Sequence, residues 1–445
     1  MPPDLPWPLQ QRLWWLGQPQ VPEPVVAAGP VVAAHLVPSE FELADGAFNA
    51  IARTPDGSIY YGLSSHRADL DARLLQLDHR AGRAAVVATM QEPGGAVAHA
   101  KIHVPPTKWD GGLYFATHVG AYRRDGRIER PATPAGFAPY PGGRILRFDL
   151  PRGPLHDIAR APDAEGVIAM AVDQARGSAW ALTWPGGKLL HVDLRSGTLA
   201  NHGPVFGVGE RGPSRTWEQV GRDLAVNPRT GRVYWSRTNG EIGWMDVDGG
   251  RGVVGSRLEV GGVPASWRRI AWHFRRQQFV GMTTSGAVFM FDGERITCGG
   301  AACAFAEAAA DTSGPRITAR RARPVPATLA FHLDPDRDEV HCLVLGPGLC
   351  PRRTRYTVEA VTVSLDSYRT CRHGVLRLDD TRYVTFAQGL VTHGEEWFAL
   401  AWIELPAASA DPRVAQLREW HHPHAQTQIH RLPEEVGLVR FAVNG

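Results

Sequence analysis

Two histidines of this chain stand where they could take part in acid–base chemistry. His103 ends the segment Lys101-Ile-His103, and His118 ends a later apolar segment, with an Asp110-Gly-Gly turn between the two. Antiparallel strands joined at such a turn bring their far ends together, so we expect the two imidazoles to be neighbours. Imidazoles titrate near neutral pH and can serve as general base and acid. They could equally bind a metal ion.

A purely structural interpretation of the same pair is also open. Each ring could close its strand by a hydrogen bond to a backbone carbonyl, as histidines at strand ends often do. The neighbouring polar residues favour a site, because Lys101, Tyr122 and Tyr140 flank the two histidines in the sequence.

The histidines belong to a unit that repeats along the chain. The unit is an apolar strand, a turn with Asp or Asn and Gly, an aromatic strand, and a strand that ends in Asp. Its copies recur at a period of roughly 45–60 residues, which is typical of four-stranded propeller blades. The copies begin at Ile51, Lys101, Ile168, Leu224, Ile270, Leu329 and Thr385.

This pattern predicts an all-β protein, a seven-bladed β-propeller of four-stranded blades, with six or eight blades as alternatives. We expect residues 1–445 to form one domain, with residues 1–40 as an N-terminal extension and residues 41–435 as the blades. The apolar stretch around Val31–Leu36 is expected to add a strand to the last blade and so close the ring.

The composition limits the function classes. The chain has 445 residues, 48 Lys and Arg against 45 Asp and Glu, and a net charge of +3, so no basic excess indicates a nucleic-acid partner. No apolar run is long enough to span a bilayer. The acidic N-terminal segment does not resemble a secretory signal, which predicts a cytoplasmic protein. No cofactor is expected, and a protein partner stays possible.

Arginines provide the candidate anion-binding groups. Arg215, Arg222 and Arg237 flank the inner strands of the fourth unit, and a guanidinium binds a carboxylate through two parallel hydrogen bonds. Salt bridges between blades are the structural alternative for the same three residues.

Part of the chain resembles a family of propeller enzymes. The matching segments are Lys101-Ile-His103 and Gly-Leu-Tyr-Phe-Ala-Thr-His118, then Gly142-Gly-Arg144-Ile-Leu-Arg-Phe-Asp149, Glu165-Gly-Val-Ile-Ala-Met-Ala-Val-Asp173 and Leu182-Thr-Trp184-Pro-Gly-Gly-Lys188. They are similar to polysaccharide lyases that act on uronic-acid chains, such as ulvan lyases and rhamnose–glucuronate lyases. The resemblance is best over residues 98–250.

The resemblance implies a β-elimination site. A pair of His residues, a Tyr and an Arg would neutralise the uronate carboxylate, remove the adjacent proton and protonate the leaving oxygen. Carried over to this chain, the pair is His103 and His118. Two positions depart from the family, since Arg144 stands where relatives often have His, and Trp184 stands where a Tyr is expected. Trp184 cannot act as a phenol does, so Tyr140 or Tyr122 would take that role.

Three hypotheses follow. The first is a lyase in which His103, His118 and Tyr140 are catalytic. The second is a non-catalytic propeller that binds a partner protein or a small ligand, and the third is a metal-dependent hydrolase or isomerase that uses the His pair. The lyase hypothesis predicts an anionic oligosaccharide or small-molecule ligand, with the following substrate-binding residues: Lys101, Tyr122, Arg144, Trp184 and Arg222.

Overall fold

The structure is a computed structural model. It describes the following ranges: 30–92, 94–125, 128–212, 216–301, 328–349, 356–378, 382–404 and 434–443.

The first described strand, β1 (Val31–Leu36), pairs with strands from the end of the chain. Three antiparallel sheets follow it. Sheet 1 contains β2 (Gly46–Arg53), β3 (Ile59–Ser64), β4 (Arg73–Asp78) and β5 (Arg83–Thr89). Sheet 2 contains β6 (Lys101–Ile102), β7 (Thr107–Trp109), β8 (Gly112–His118), β11 (Arg144–Asp149) and β12 (Leu155–Arg160), and the hairpin β9 (Tyr122–Asp125) and β10 (Ile128–Pro131) is inserted after β8. Sheet 3 contains β13 (Gly166–Asp173), β14 (Ser178–Trp184), β15 (Lys188–Asp193) and β16 (Leu199–Pro204).

Two further four-stranded sheets continue the series, separated by a short hairpin. Sheet 4 contains β17 (Ala225–Val226), β18 (Val233–Ser236), β19 (Ile242–Met245) and β20 (Arg251–Val253). The hairpin consists of β21 (Glu259–Val260) and β22 (Val263–Pro264). Sheet 5 contains β23 (Trp267–His273), β24 (Gln278–Thr283), β25 (Ala287–Phe291) and β26 (Ile296–Ala301).

The remaining strands form one eight-stranded sheet, sheet 6. Its members are β27 (Thr328–Asp334), β28 (Glu339–Leu349), β29 (Tyr356–Ser364), β30 (Thr370–Leu378), β31 (Val384–His393), β32 (Glu396–Glu404), β33 (Glu434–Ala442) and β1. Strand β1 joins its two halves, because it runs parallel to β30, with Val31 opposite Val375, and antiparallel to β33, with Ala34 opposite Phe441.

The inner strands are buried on both faces because each sheet is packed between two others, whereas outer strands such as β12 and β16 are largely exposed. All seven residues of β14 are buried, for example, including Trp180 and Trp184. Turns with positive φ separate the strands. Asp110 and Gly111, at φ 44° and 75°, form the two-residue turn between β7 and β8, a position that favours Asp-Gly.

The first strands of successive sheets contact one another around a ring. Strand β2 contacts β6, and β8 of sheet 2 contacts β13. From there each strand contacts the next in the order β13, β17, β23, β27 and β31, and β31 contacts β2. The first residues of these inner strands therefore lie around one mouth of a central channel.

The prediction of an all-β propeller is confirmed, whereas the prediction of seven separate blades is not. Five sheets are separate, and the strands of the sixth and seventh predicted units belong to sheet 6, because β1 pairs on both of its edges. Strand β1 does pair with the last strand of the chain, as expected for Val31–Leu36.

Helix is almost absent from the described residues, where one short 3₁₀ turn, Gly209–Arg211, occurs. Within those same ranges, no helix has the length and apolar character needed to cross a membrane.

Candidate active site at the channel mouth

The backbone of sheet 2 places His103 and His118 at the channel mouth. His118 is the last residue of β8 and lies opposite Lys101 of β6. Nearer the turn, β7 pairs with the same strand, with Thr107 opposite Tyr114. Residues 103–106 therefore face only residues 115–116, and this irregular segment begins with His103.

The two imidazoles are neighbours, as predicted. Their ring centroids are 4.7 Å apart, with an angle of 45° between the ring planes. His103 stacks on Phe48 of β2 at a centroid distance of 3.9 Å, and His118 lies 5.0 Å from the ring of Trp184 at the end of β14. The pair is thus held between aromatic rings of sheets 1 and 3.

The ammonium group of Lys101 and the ring of Tyr122 complete this aromatic surrounding. Lys101 Nζ lies 4.6 Å from the centroid of Tyr122 and 5.3 Å from that of Phe48. Tyr122 meets Trp184 edge to face at 5.4 Å. Such contacts hold a cation against ring faces, so a positive charge is fixed beside the imidazoles.

The hydrogen bonding of His118 defines its tautomer. Its Nδ1 donates to the backbone carbonyl of Val119 at 2.8 Å, which leaves Nε2 as a lone-pair acceptor in the neutral ring. His118 is only 3% exposed, and its Nε2 has no hydrogen-bond partner among the described residues. A buried polar atom without a partner costs free energy, and a ligand proton would satisfy this one.

Both imidazoles are neutral at physiological pH. Burial, followed by the charge of Lys101, lowers the pKa of His118 well below its usual value. Burial also lowers the pKa of His103, with the neighbouring His118, Lys101, Arg222 and His66 acting in the same direction. A neutral imidazole surrounded by cationic groups can accept a proton near a bound anion.

Arg222 lies near enough to the pair for its charge to lower the pKa of both histidines, and its own partner is a carboxylate of the protein, as the salt-bridge alternative predicts. Its Nη2 forms an ion pair with Glu210 Oε1 at 2.7 Å, and Nη1 donates to the Val220 carbonyl at 2.6 Å. Glu210 is buried and also accepts a hydrogen bond from Trp184 Nε1 at 2.9 Å. Glu210 therefore fixes both Arg222 and Trp184.

Tyr140, by contrast, does not join the pair. Its buried hydroxyl lies 3.2 Å from His99 Nδ1, and Thr117 Oγ1 lies 2.9 Å from the same nitrogen, so the two hydroxyls share its one lone pair. His99 Nε2 donates to Glu92 Oε2 at 2.8 Å, and Arg160 binds the same carboxylate. The expected meeting of Tyr140 with the two histidines was wrong, because its hydroxyl is part of the His99 network.

Arg144 is likewise directed to other partners. Its Nε donates to Asp157 Oδ1 at 2.5 Å and its Nη1 to the carbonyl of Gln91 at 3.0 Å. Asp157 belongs to the outer strand β12, so Arg144 ties the strands of sheet 2 together. The expectation that this guanidinium lies beside the His pair was wrong for that reason.

The other predicted arginines differ in their outcome. Arg237 is held by Glu218 through two bonds of 2.7 Å, which fits the salt-bridge alternative. Arg215 lies outside the described residues. Within the described part of the chain, no group of three or more His, Cys, Asp or Glu could hold a metal ion.

Sequence reasoning missed several residues of the site. Phe48, His66 and Glu210 come from other units of the repeat, and no local spacing connects them to the histidines. His66 is bound to Asp45 at 2.8 Å. The sequence carries one usable signal, which is that aromatic residues recur at corresponding strand ends.

Comparisons with known proteins support the fold only. No family model matches the sequence, and no curated protein matches it. Among solved structures, the WD40 repeats of RRP9 align over 94% of this chain and 99% of theirs, with a TM-score of 0.51 at 10% identity. WD40 repeats form propellers, so this likeness supports a propeller and says nothing of activity.

A second solved structure is the extracellular domain of BT4673 from B. thetaiotaomicron. It shares 11% identity over 83% of this chain, with a TM-score of 0.47. This chain spans only 38% of the length of that protein. The comparisons thus show no polysaccharide lyase.

Proposed function

We propose that the channel mouth binds an anionic, uronic-acid-containing oligosaccharide and cleaves it by β-elimination. The main support is Nε2 of His118, which is buried and has no hydrogen-bond partner among the described residues. The ring of His118 lies 4.7 Å from that of His103, and cationic groups surround it. A neutral base next to fixed positive charge is what removal of a proton beside a carboxylate requires.

In this mechanism the cations act on the carboxylate. Lys101 and Arg222 bind it and stabilise the negative charge that develops as the adjacent carbon loses its proton. Trp184 offers a ring face for the sugar, and its orientation is fixed by Glu210. Both cations are present before the ligand arrives, so no charge has to be moved into the site during the reaction.

The histidines share the proton transfers. His118 Nε2 accepts the proton next to the carboxylate, the bond to the glycosidic oxygen breaks, and a carbon–carbon double bond forms. The protonated His118 passes its new proton to one ring nitrogen of His103, and the N–H on the other nitrogen of His103 protonates the departing oxygen. Both rings are then neutral again.

We also propose that sheet 6 is two four-stranded blades joined edge to edge by β1. Strands β27 and β31 each occupy an inner position in the ring of contacts, as the first strands of the five separate sheets do. On this count the ring would have seven blades, and the last blade would consist of β1, β33, β32 and β31.

Binding without cleavage is the second candidate. In the described residues, neither imidazole is hydrogen-bonded to a carboxylate or a phenol that would orient it for catalysis. The same cations and rings would then form a receptor site for an acidic sugar.

The experiment that separates the two follows ultraviolet absorbance. Elimination leaves a conjugated double bond, so turnover of a rhamnose–uronate oligosaccharide should raise the absorbance, which hydrolysis does not do. We expect His103→Ala and His118→Ala to lower the rate by roughly 10²–10⁴-fold and to remain folded.

His156→Ala is the matched control, because this half-exposed histidine pairs with Asp149 away from the channel. It should keep the wild-type rate. Absence of any absorbance change over a broad panel of uronate glycans, with binding retained, would reject cleavage and leave the receptor function. Wild-type rates in both His variants would reject the site itself.

A further inference from the structure

Arg268 occupies a position that other inner strands fill with buried, uncharged residues. Strand β23 has a one-residue irregularity between Trp267 and Arg269, and Arg268 is the extra residue. In the described residues, β13, β27 and β31 have the same irregularity near their starts. Their extra residues are all at most 4% exposed: Ile168, Leu329 and Thr385.

The charge around Arg268 is not balanced by the described residues. Arg269 Nη1 lies 3.5 Å from Asp223 Oδ2, and Asp223 also accepts from the backbone N–H groups of Leu224 and Ile270. No carboxylate within the described ranges forms an ion pair with Arg268. The Nε atoms of both arginines are buried and have no hydrogen-bond partner.

The positive charges also affect one another. Burial, with Arg222 and Arg269 acting in the same direction, lowers the pKa of Arg268 to about 10. Arg222 likewise lowers the pKa of His103 and His118. Arg222 therefore lies between the two regions: its charge acts both on the His pair of sheet 2 and on Arg268 of sheet 5.

We propose that Arg268 and Arg269 form an oxyanion-binding subsite for a carboxylate, sulfate or phosphate group. A buried guanidinium N–H group that lacks an acceptor is costly, and an oxyanion supplies both the missing acceptor and the missing charge. Planar guanidinium groups match such anions through paired hydrogen bonds. The subsite does not depend on cleavage at the histidines.

The test measures thermal unfolding in sulfate, phosphate and acetate against chloride at equal ionic strength. The wild-type melting temperature should rise by roughly 2–4 °C in at least one oxyanion. Arg268→Ile, which introduces the residue found at the equivalent position of β13, should abolish this rise. It should also raise the melting temperature in chloride, because it removes an unbalanced buried charge.

Arg237→Gln is the control, since Arg237 is already paired with Glu218. It should keep the response to the oxyanion. A parallel titration with a uronate oligosaccharide distinguishes a free ion from an acidic group of a larger ligand. A loss of affinity of about tenfold in Arg268→Ile, without a response to free ions, assigns the subsite to the larger ligand.

Two results would overturn the proposal. One is a wild-type protein that responds neither to the oxyanions nor to the oligosaccharide. The other is an Arg268→Ile variant that responds as the wild type does. The second result leaves the absorbance assay untouched, because wild-type turnover that depends on His103 and His118 would still support the elimination. This subsite and the proposed elimination can therefore fail separately.

Discussion

Thr117 and His118 are consecutive residues of β8, and their side chains lie on opposite faces of the strand. Thr117 faces His99, whose two ring nitrogens are both hydrogen-bonded, within a network that ends at Glu92 and Arg160. His118 faces His103 and leaves Nε2 without a partner. The same strand therefore carries a satisfied histidine cluster on one face and an unsatisfied one on the other.

This difference separates stability from function. Buried polar groups that are fully bonded contribute to the stability of a fold, whereas a buried unpartnered acceptor is a cost that a ligand can offset. Both histidines have lowered pKa values from burial, so the pKa alone does not distinguish them. The hydrogen-bond partners do.

The largest expected difference between the clusters is in stability. His99→Ala should lower the free energy of unfolding by about 3 kcal/mol, because it empties a buried position and removes the hydrogen bonds of the ring with Glu92, Tyr140 and Thr117. His118→Ala should cost about 1 kcal/mol or less, since loss of packing is offset by removal of a buried unpartnered nitrogen. Urea unfolding of both variants checks this. Equal losses would contradict the distinction.

The next largest effect is on the pH dependence of the free energy of unfolding. Burial lowers the pKa of His99 to about 4, below the value of about 6.5 in an unfolded chain. Between these values the unfolded state binds more protons, so this histidine makes stability fall as the pH decreases from 6.5 to 4. The contribution should be about 2 kcal/mol between pH 7 and pH 5.

Buried Asp71 acts in the opposite direction. Its carboxylate accepts a hydrogen bond from the His99 backbone N–H, and burial raises its pKa to about 6. The folded state therefore gains protons at Asp71 over part of the same range. Comparing wild type with His99→Gln at both pH values isolates the histidine, and an unchanged pH dependence in the variant would show that His99 does not contribute.

The smallest effect is expected at Tyr140. Tyr140→Phe removes one hydrogen bond to His99, which still accepts from Thr117, so the free energy of unfolding should fall by about 1 kcal/mol. The rate of any uronate cleavage should be unchanged, because the hydroxyl lies in the structural network. A rate loss of tenfold or more with stability intact would return Tyr140 to the catalytic site.

The sequence predicts much of the fold because repetition and alternation are local signals. The turn at Asp110 also predicts the His pair correctly, since positions equally far from a turn meet. It does not predict the side-chain direction of Arg144, which depends on Asp157 in the outer strand. Phe48 reaches His103, and Glu210 reaches Trp184 and Arg222, because different units pack side by side in the ring. The joining of β30 to β33 through β1 depends on closure of the ring.

The most direct test of the contrast is nitrogen NMR of the protein with ¹⁵N-labelled histidines. At pH 7, His118 should be neutral with the proton on Nδ1. Addition of a uronate oligosaccharide should shift its Nε2 resonance and leave both resonances of His99 in place. A charged His118 at pH 7, or a ligand that shifts His99 and not His118, would contradict the assignment of the functional site to this face of β8.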